Sequence, residues 1–356
     1  MKTFHCDQCG QQVFFENVRC ENCGGMLGYQ PEQRAISTFE PCGGGVWRSL
    51  NPANAGSLFK QCINYAREDV CNWMLPADAH GELCASCQLT RVIPSLSSEK
   101  NRLYWKRLET AKRRLLYSLW DLHLQPTPKC TDPDAGLAFQ FLEDEPNKRV
   151  VTGHANGLIT INISEADPAH REMTREQMHE PYRTLLGHFR HESGHYYFDR
   201  LIDDTCWHEP FRRLFGDERQ DYSAALKAHY ENGPPPDWRQ RFVSGYASAH
   251  PWEDWAETWA HYLHMYDTLD TAYACGMALK PRKPGEPELV MEDRPIRIVS
   301  FDDIVSDWFA LTYVLNSLNR SIGMPDAYPF TLSTHVLEKL KLIHNVILAR
   351  REEAMI

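Results

Sequence analysis

Residues 185–201 read LLGHFRHESGHYYFDRL, and how this stretch folds decides the rest. Tyr182, Leu185, Leu186 and Phe189 recur at the i, i+3, i+4, i+7 spacing of one helix face, and Pro181 suits a first helical position. The spacing predicts a helix from about Pro181 to about Leu201. Inside it lies His191-Glu192-Ser193-Gly194-His195. Four residues turn a helix through about 400°, so the two imidazoles share a face about one turn apart, as a single metal ion requires. Glu192 sits about 100° round the helix from His191. It is off the ligand row but beside it, where a general base belongs. The pattern alone is a hypothesis, since two surface or core-edge histidines would read the same way.

A third ligand is sought in His250-Pro251-Trp252-Glu253-Asp254-Trp255-Ala256-Glu257-Thr258-Trp259-Ala260-His261. Trp252, Trp255, Ala256, Trp259, Ala260 and Leu263 mark an amphipathic helix, with Glu253 and Glu257 one turn apart on a shared face. Such carboxylates are ordinarily a solvated surface, and the H-E-x-x-H pattern upstream makes them ligand candidates. Two imidazoles and one carboxylate leave a coordination position open, as catalytic zinc needs and structural zinc does not. Either glutamate suits the spacing. We favour Glu253, which frees Glu257 to hydrogen-bond a ligating histidine and fix its tautomer. Tyr246 and His250, just upstream, are candidates for stabilising an oxyanion, and each could equally be a packing residue. His188 and His261 also fall near this site and read as structural.

Nine of the twelve cysteines come before residue 90, and eight of these fall into two modules of four. Cys6-x2-Cys9-x10-Cys20-x2-Cys23 is a zinc-ribbon spacing, because two knuckles supply four thiolates to a closed tetrahedral site. Cys62-x8-Cys71-x12-Cys84-x2-Cys87 has one true knuckle, giving a second structural zinc, with a redox-active Cys84/Cys87 pair as the rival reading. Cys42, Cys130, Cys206 and Cys275 are spaced singly and read as ordinary buried small residues.

Elsewhere, residues 42–56 look like a connector, and Ser97 or Ser98 can cap a helix that begins at Glu99. Ile159, Ile161 and Ile163 alternate with polar residues after a His-Ala-Asn-Gly turn at 154–157, which predicts a strand with one buried face. Residues 232–237 (NGPPPD) read as a loop, and helices are expected near 302–320 and 334–350. The net charge of −10 argues against general binding to nucleic acid or anionic membranes. No apolar run reaches the roughly 18 residues a membrane span needs, and the first residues offer no export signal. A reducing, cytoplasmic setting is expected. The basic run Lys100, Arg102, Lys106, Arg107, Lys112, Arg113 and Arg114 is the place to look for an acidic partner.

In these residues the sequence resembles the gluzincin class of metallopeptidases, in which H-E-x-x-H on one helix is completed by a glutamate on a later one. More closely, it is similar to the bacterial zinc-binding metallopeptidase family with N-terminal zinc ribbons. The cysteine modules carry that likeness, together with CNWMLPAD (71–78), LITINISEAD (158–167), GHFRHESGHYYFDRLI (187–202), HPWEDWAETWAHYL (250–263) and LNRSIGMPDAYPF (318–330). The resemblance implies an α+β protein: a mostly helical zincin-like catalytic domain with a small sheet (97–356), preceded by a zinc ribbon (1–41) and by a connector with a second zinc module (42–96). It also implies zinc-assisted hydrolysis of a peptide or protein, with Glu192 taking the proton from the attacking water. The strand at 158–163 would be the sheet edge that receives an extended substrate. The other reading is an interaction protein whose ribbons bind a protein partner and whose hydrolase-like domain holds that partner or a non-peptide amide.

Overall fold

Each knuckle of the first cysteine module ends in glycine, and the structure gives the reason. Gly10 and Gly24 adopt φ of +74° and +75°, and their N–H groups bond back to the Cys6 and Cys20 carbonyls at 2.9 and 2.8 Å. A side chain at either position would be strained. The computed structural model describes residues 2–177, 180 and 182–355. The chain is α+β, with short strands in its cysteine-rich N-terminal part and helices thereafter. Two compact units form: Lys2–Tyr117 with Pro126–Pro168, and Ser118–Gln125 with the chain from Ala169 onward. No helix among the described residues is long and apolar enough to cross a membrane.

In the first unit, strands Met26–Gln30, Ala35–Gly43, Val46–Ser49, Leu58–Gln61 and Met74–Pro76 make an antiparallel five-stranded sheet in chain order. The stretch at 42–56 is therefore largely part of a meander rather than a connector: Gly43, Gly44 and Gly45, all at positive φ, form a tight turn between two strands. A second sheet has the order Gly153–Ala155, Leu158–Asn162, Ala138–Leu142, Thr90–Val92. The turn is as expected, with Asn156 and Gly157 at φ +48° and +73°, the left-handed pair that a two-residue hairpin demands. Ile159, Ile161 and Ile163 are buried as the alternation predicts. The edge assignment is corrected. Leu158–Asn162 pairs on both sides, antiparallel to Gly153–Ala155 and parallel to Ala138–Leu142, so it offers no free edge to a substrate.

The basic run on the helix Glu99–Asp121 has its acidic partners within the chain. Lys106 binds Asp69 at 2.6 Å, Arg114 binds Glu16 at 2.5 Å and Arg102 binds Glu68. Lys112 is fully buried against Glu109. A run of cations on a helix usually faces solvent, but here the neighbouring cysteine modules supply carboxylates and carbonyls to most of it, and Arg107 reaches the Ala166 carbonyl. The four singly spaced cysteines are exposed, contrary to the expectation of burial.

The second unit is built on two helices, Leu185–Leu201 and Pro251–Ala274. The first starts at Leu185, four residues later than predicted, because Thr184 caps it by accepting from Gly187 N at 3.0 Å; Pro181 lies outside the described residues. The two helices meet at Gly194, where an added Cβ would stand 2.8 Å from the Ala256 Cα. At that crossing Trp255 Nε1 donates to the Gly194 carbonyl at 2.9 Å and Trp259 Nε1 to Ser193 Oγ at 3.1 Å. Arg190, on the first helix, binds Asp267 on the second at 2.5 Å. Helices Phe301–Ser321 and Thr334–Met355 follow as expected. Lys339, on the last of these, is buried in an ion pair with Asp254 at 2.6 Å.

Candidate active site and metal centres

The close crossing fixes which side chains face one another. His191 and His195 project from one helix, and Glu253 from the first turn of the other, where His250 is the cap and Pro251 follows it. A carboxylate in a first turn also gains from the positive end of the helix dipole. His191 Nε2 and His195 Nε2 lie 3.2 Å apart, and Glu253 Oε2 lies 3.0 Å from the first and 3.5 Å from the second. Zinc with arms of about 2.0–2.1 Å spaces tetrahedral ligands about 3.3 Å apart, so the triangle has the right size for one ion. Among the described residues this group has three members.

The proton arrangement supports the same fit. His191 Nδ1 faces Glu257 Oε1 at 2.7 Å, an acceptor-only oxygen, which puts the ring proton on Nδ1 and leaves a lone pair on Nε2. Glu257 is held in turn by Ser244 Oγ, which donates to Oε2 at 2.5 Å. Among the described residues Glu253 Oε2 is buried without a hydrogen bond although two imidazoles surround it. Electron-pair donors converging in this way need a positive charge between them. Without one, burial works against a charge on His191, but Glu253 and Glu257 outweigh it and raise its pKa well above the usual histidine value. Burial likewise opposes ionisation of the two glutamates. His191 and His195 nevertheless hold Glu253 far below the ordinary carboxylate range, and His191 holds Glu257 at about 2.

Glu192 is buried next to this cluster in sequence, with Oε2 unpartnered among the described residues. Tyr246 is brought to the cluster, its ring centroid 6.0 Å from that of His191. His250 is engaged elsewhere: Nδ1 accepts from Trp252 N at 3.1 Å and Nε2 faces the Gln220 carbonyl at 3.2 Å. Both nitrogens are spent on capping the helix and tying down a loop. His261 Nδ1 pairs with the Tyr328 hydroxyl at 2.8 Å. Sequence reasoning missed Tyr222, whose hydroxyl donates to Glu253 Oε1 at 2.6 Å. Its helix, Tyr222–Asn232, has no fully buried residue and so a weak apolar period; the available signal was Asp221, which caps it.

The cysteine modules close as four-donor sites. The sulfurs of Cys6, Cys9, Cys20 and Cys23 gather in one group and those of Cys62, Cys71, Cys84 and Cys87 in another. Cys6 and Cys23 are 3.6 Å apart, Cys9 and Cys20 3.6 Å, Cys71 and Cys84 3.7 Å. Zinc–sulfur arms of about 2.3 Å predict about 3.8 Å. In the second module backbone N–H groups of Trp73, Cys84 and Cys87 point at the sulfurs of Cys71, Cys62 and Cys84, an arrangement that suits thiolates.

Comparison with known proteins agrees with both halves of this picture. Residues 3–98 match the model of a zinc-ribbon domain. Uncharacterized proteins of Mycobacterium bovis and Mycobacterium tuberculosis are 44% identical over 349 residues, covering 98% of this chain and 95% of theirs. No solved structure matches the chain. Residues 101–346, which hold every member of the histidine and glutamate cluster, match the family model described as "Putative zinc-binding metallo-peptidase", and the chain belongs to that zinc-binding metallopeptidase family.

Proposed function

We propose that this chain is a zinc-dependent peptidase in which His191, His195 and Glu253 hold the catalytic ion. The observation that carries the reading is the triangle of three lone pairs, sized for zinc and formed by three donors rather than four. Zinc bound there would supply Lewis acidity to a substrate carbonyl and to the attacking water. Glu192 accepts the water's proton and delivers it to the leaving nitrogen; its buried, unpartnered oxygen suits a group that must exchange protons. Glu257 fixes the His191 tautomer. Tyr246 is the remaining candidate for stabilising the oxyanion, while Tyr222 gives its one O–H to Glu253 and orients that ligand. The two cysteine clusters each hold a structural zinc, making three per chain, and the partners are peptide or protein substrates.

The test is Glu192→Gln in zinc-loaded protein assayed on a mixed peptide library. Hydrolysis should fall by roughly 10²–10⁴-fold while elemental analysis still finds three zincs. Activity that survives the substitution rejects the reading.

A further inference from the structure

Tyr222, Leu226, His229 and Tyr230 fall at i, i+4, i+7 and i+8 of their helix and so share a face. That face is turned to the metal cluster. Tyr222 reaches Glu253, and His229 lies edge-on to Tyr246 with ring centroids 5.9 Å apart. Tyr246 stands 6.0 Å from His191, and His229 leads outward to Tyr230 at 5.9 Å. His191, Tyr246, His229 and Tyr230 thus form a row of four rings. It begins at the ligands and ends at a tyrosine that is 61% exposed.

The row carries no formal charge beyond its first ring. Burial lowers the pKa of His229, which keeps that ring neutral at pH 7. On the same helix Lys227 and Glu231, both exposed, lie 3.9 Å apart and offset each other. An aromatic or large apolar side chain laid along these rings would gain edge and face contacts and shed water, while a charged one would give up hydration without a partner.

We infer that this row is a substrate-selecting subsite, in which His229 and Tyr230 receive an aromatic or large apolar, uncharged side chain of the peptide. The inference rests on the peptidase reading for the bond that is cut. The row's three steps of about 6 Å, set against about 3.3 Å per residue of extended chain, place the selected side chain within about five residues of that bond. Tyr230 touches no reacting atom, so it acts on the choice of substrate.

The experiment uses the full zinc-loaded chain and quenched fluorescent peptide libraries in which one position carries Phe, Leu, Ala, Lys or Glu. Wild type should prefer Phe to Ala by about tenfold in kcat/KM, and should turn over the Lys and Glu peptides least. Tyr230→Ala should cut the Phe preference about fivefold while cleavage of the Ala peptides stays within twofold. Tyr230→Phe, which keeps the ring, should restore it. A second arm measures peptide binding by fluorescence anisotropy to zinc-loaded Glu192→Gln, with and without Tyr230→Ala. Cleavage without a Phe preference, or a preference that survives Tyr230→Ala, overturns the subsite, and so does unselective binding in the second arm. If no peptide is cut but binding is Phe-selective and depends on Tyr230, the peptidase reading falls and the subsite stands.

Discussion

In the second cysteine module four sulfurs close on one another inside a wholly buried shell, whereas His191, His195 and Glu253 make three corners of a tetrahedron bordered by tyrosines. The donors differ in kind as well as number. Four thiolates can complete an ion's coordination and hold a small fold together; two imidazoles and a carboxylate leave room for chemistry. The surroundings follow suit. Backbone N–H groups point at the sulfurs, while His191 is aligned by side chains, Glu257 and behind it Ser244. A site supported by backbone belongs to the fold, and one supported by side chains can be tuned without touching it.

The largest expected effect tests that division directly. Cys71→Ser should lose one zinc per chain and much of the stability of the first unit, because metal binding free energy is folding free energy in such modules. Glu253→Gln should also lose one zinc yet leave the thermal transition nearly in place. Elemental analysis with circular dichroism melts separates the two, and equal destabilisation would erase the contrast.

Next in size is acid sensitivity of the tryptophan-rich helix. Burial depresses His261 to about 4 and holds His264 well below its usual value. Both are neutral in the fold, while the unfolded chain takes up protons below about pH 6.5. Their stabilising contribution is therefore complete above about 6.5 and is lost as pH falls toward 4, by about 3 kcal/mol for His261. His261→Gln should flatten the fall in urea midpoint between pH 7 and pH 5 relative to wild type. Parallel slopes would show that this ring does not set the acid limit.

The smallest effect sharpens the comparison most. Glu257→Gln should weaken zinc at the histidine cluster by about 10–100-fold, read by competition with a fluorescent chelator, with the two four-thiolate zincs unmoved.

The grouping of donors was legible where it is local: His191 and His195 lie one helical turn apart, and Cys6, Cys9, Cys20 and Cys23 in two knuckles. The tryptophan stripe marked a face shared by Glu253 and Glu257, and it is the structure that groups Glu253 with the two histidines. Tyr222 was not legible, since it comes from a helix that buries no residue fully and carries little apolar period. Strand order is equally silent. Nothing in Ile159, Ile161 and Ile163 says whether one neighbour or two will pair, and the structure supplies two. The connector at 42–56 misled because three consecutive glycines serve a tight turn as readily as a loop. His250 had two readings for a related reason, as a histidine beside a site can spend both nitrogens on backbone, and here it does.

The missing methyl group at Gly194 has a mechanical consequence. Two helices that touch backbone to backbone at one point work like a caliper closed on a hard stop, which sets the gap between the histidine jaw and the glutamate jaw. The indole N–H groups of Trp255 and Trp259 fasten the two arms at that stop, while position 194 gauges the opening.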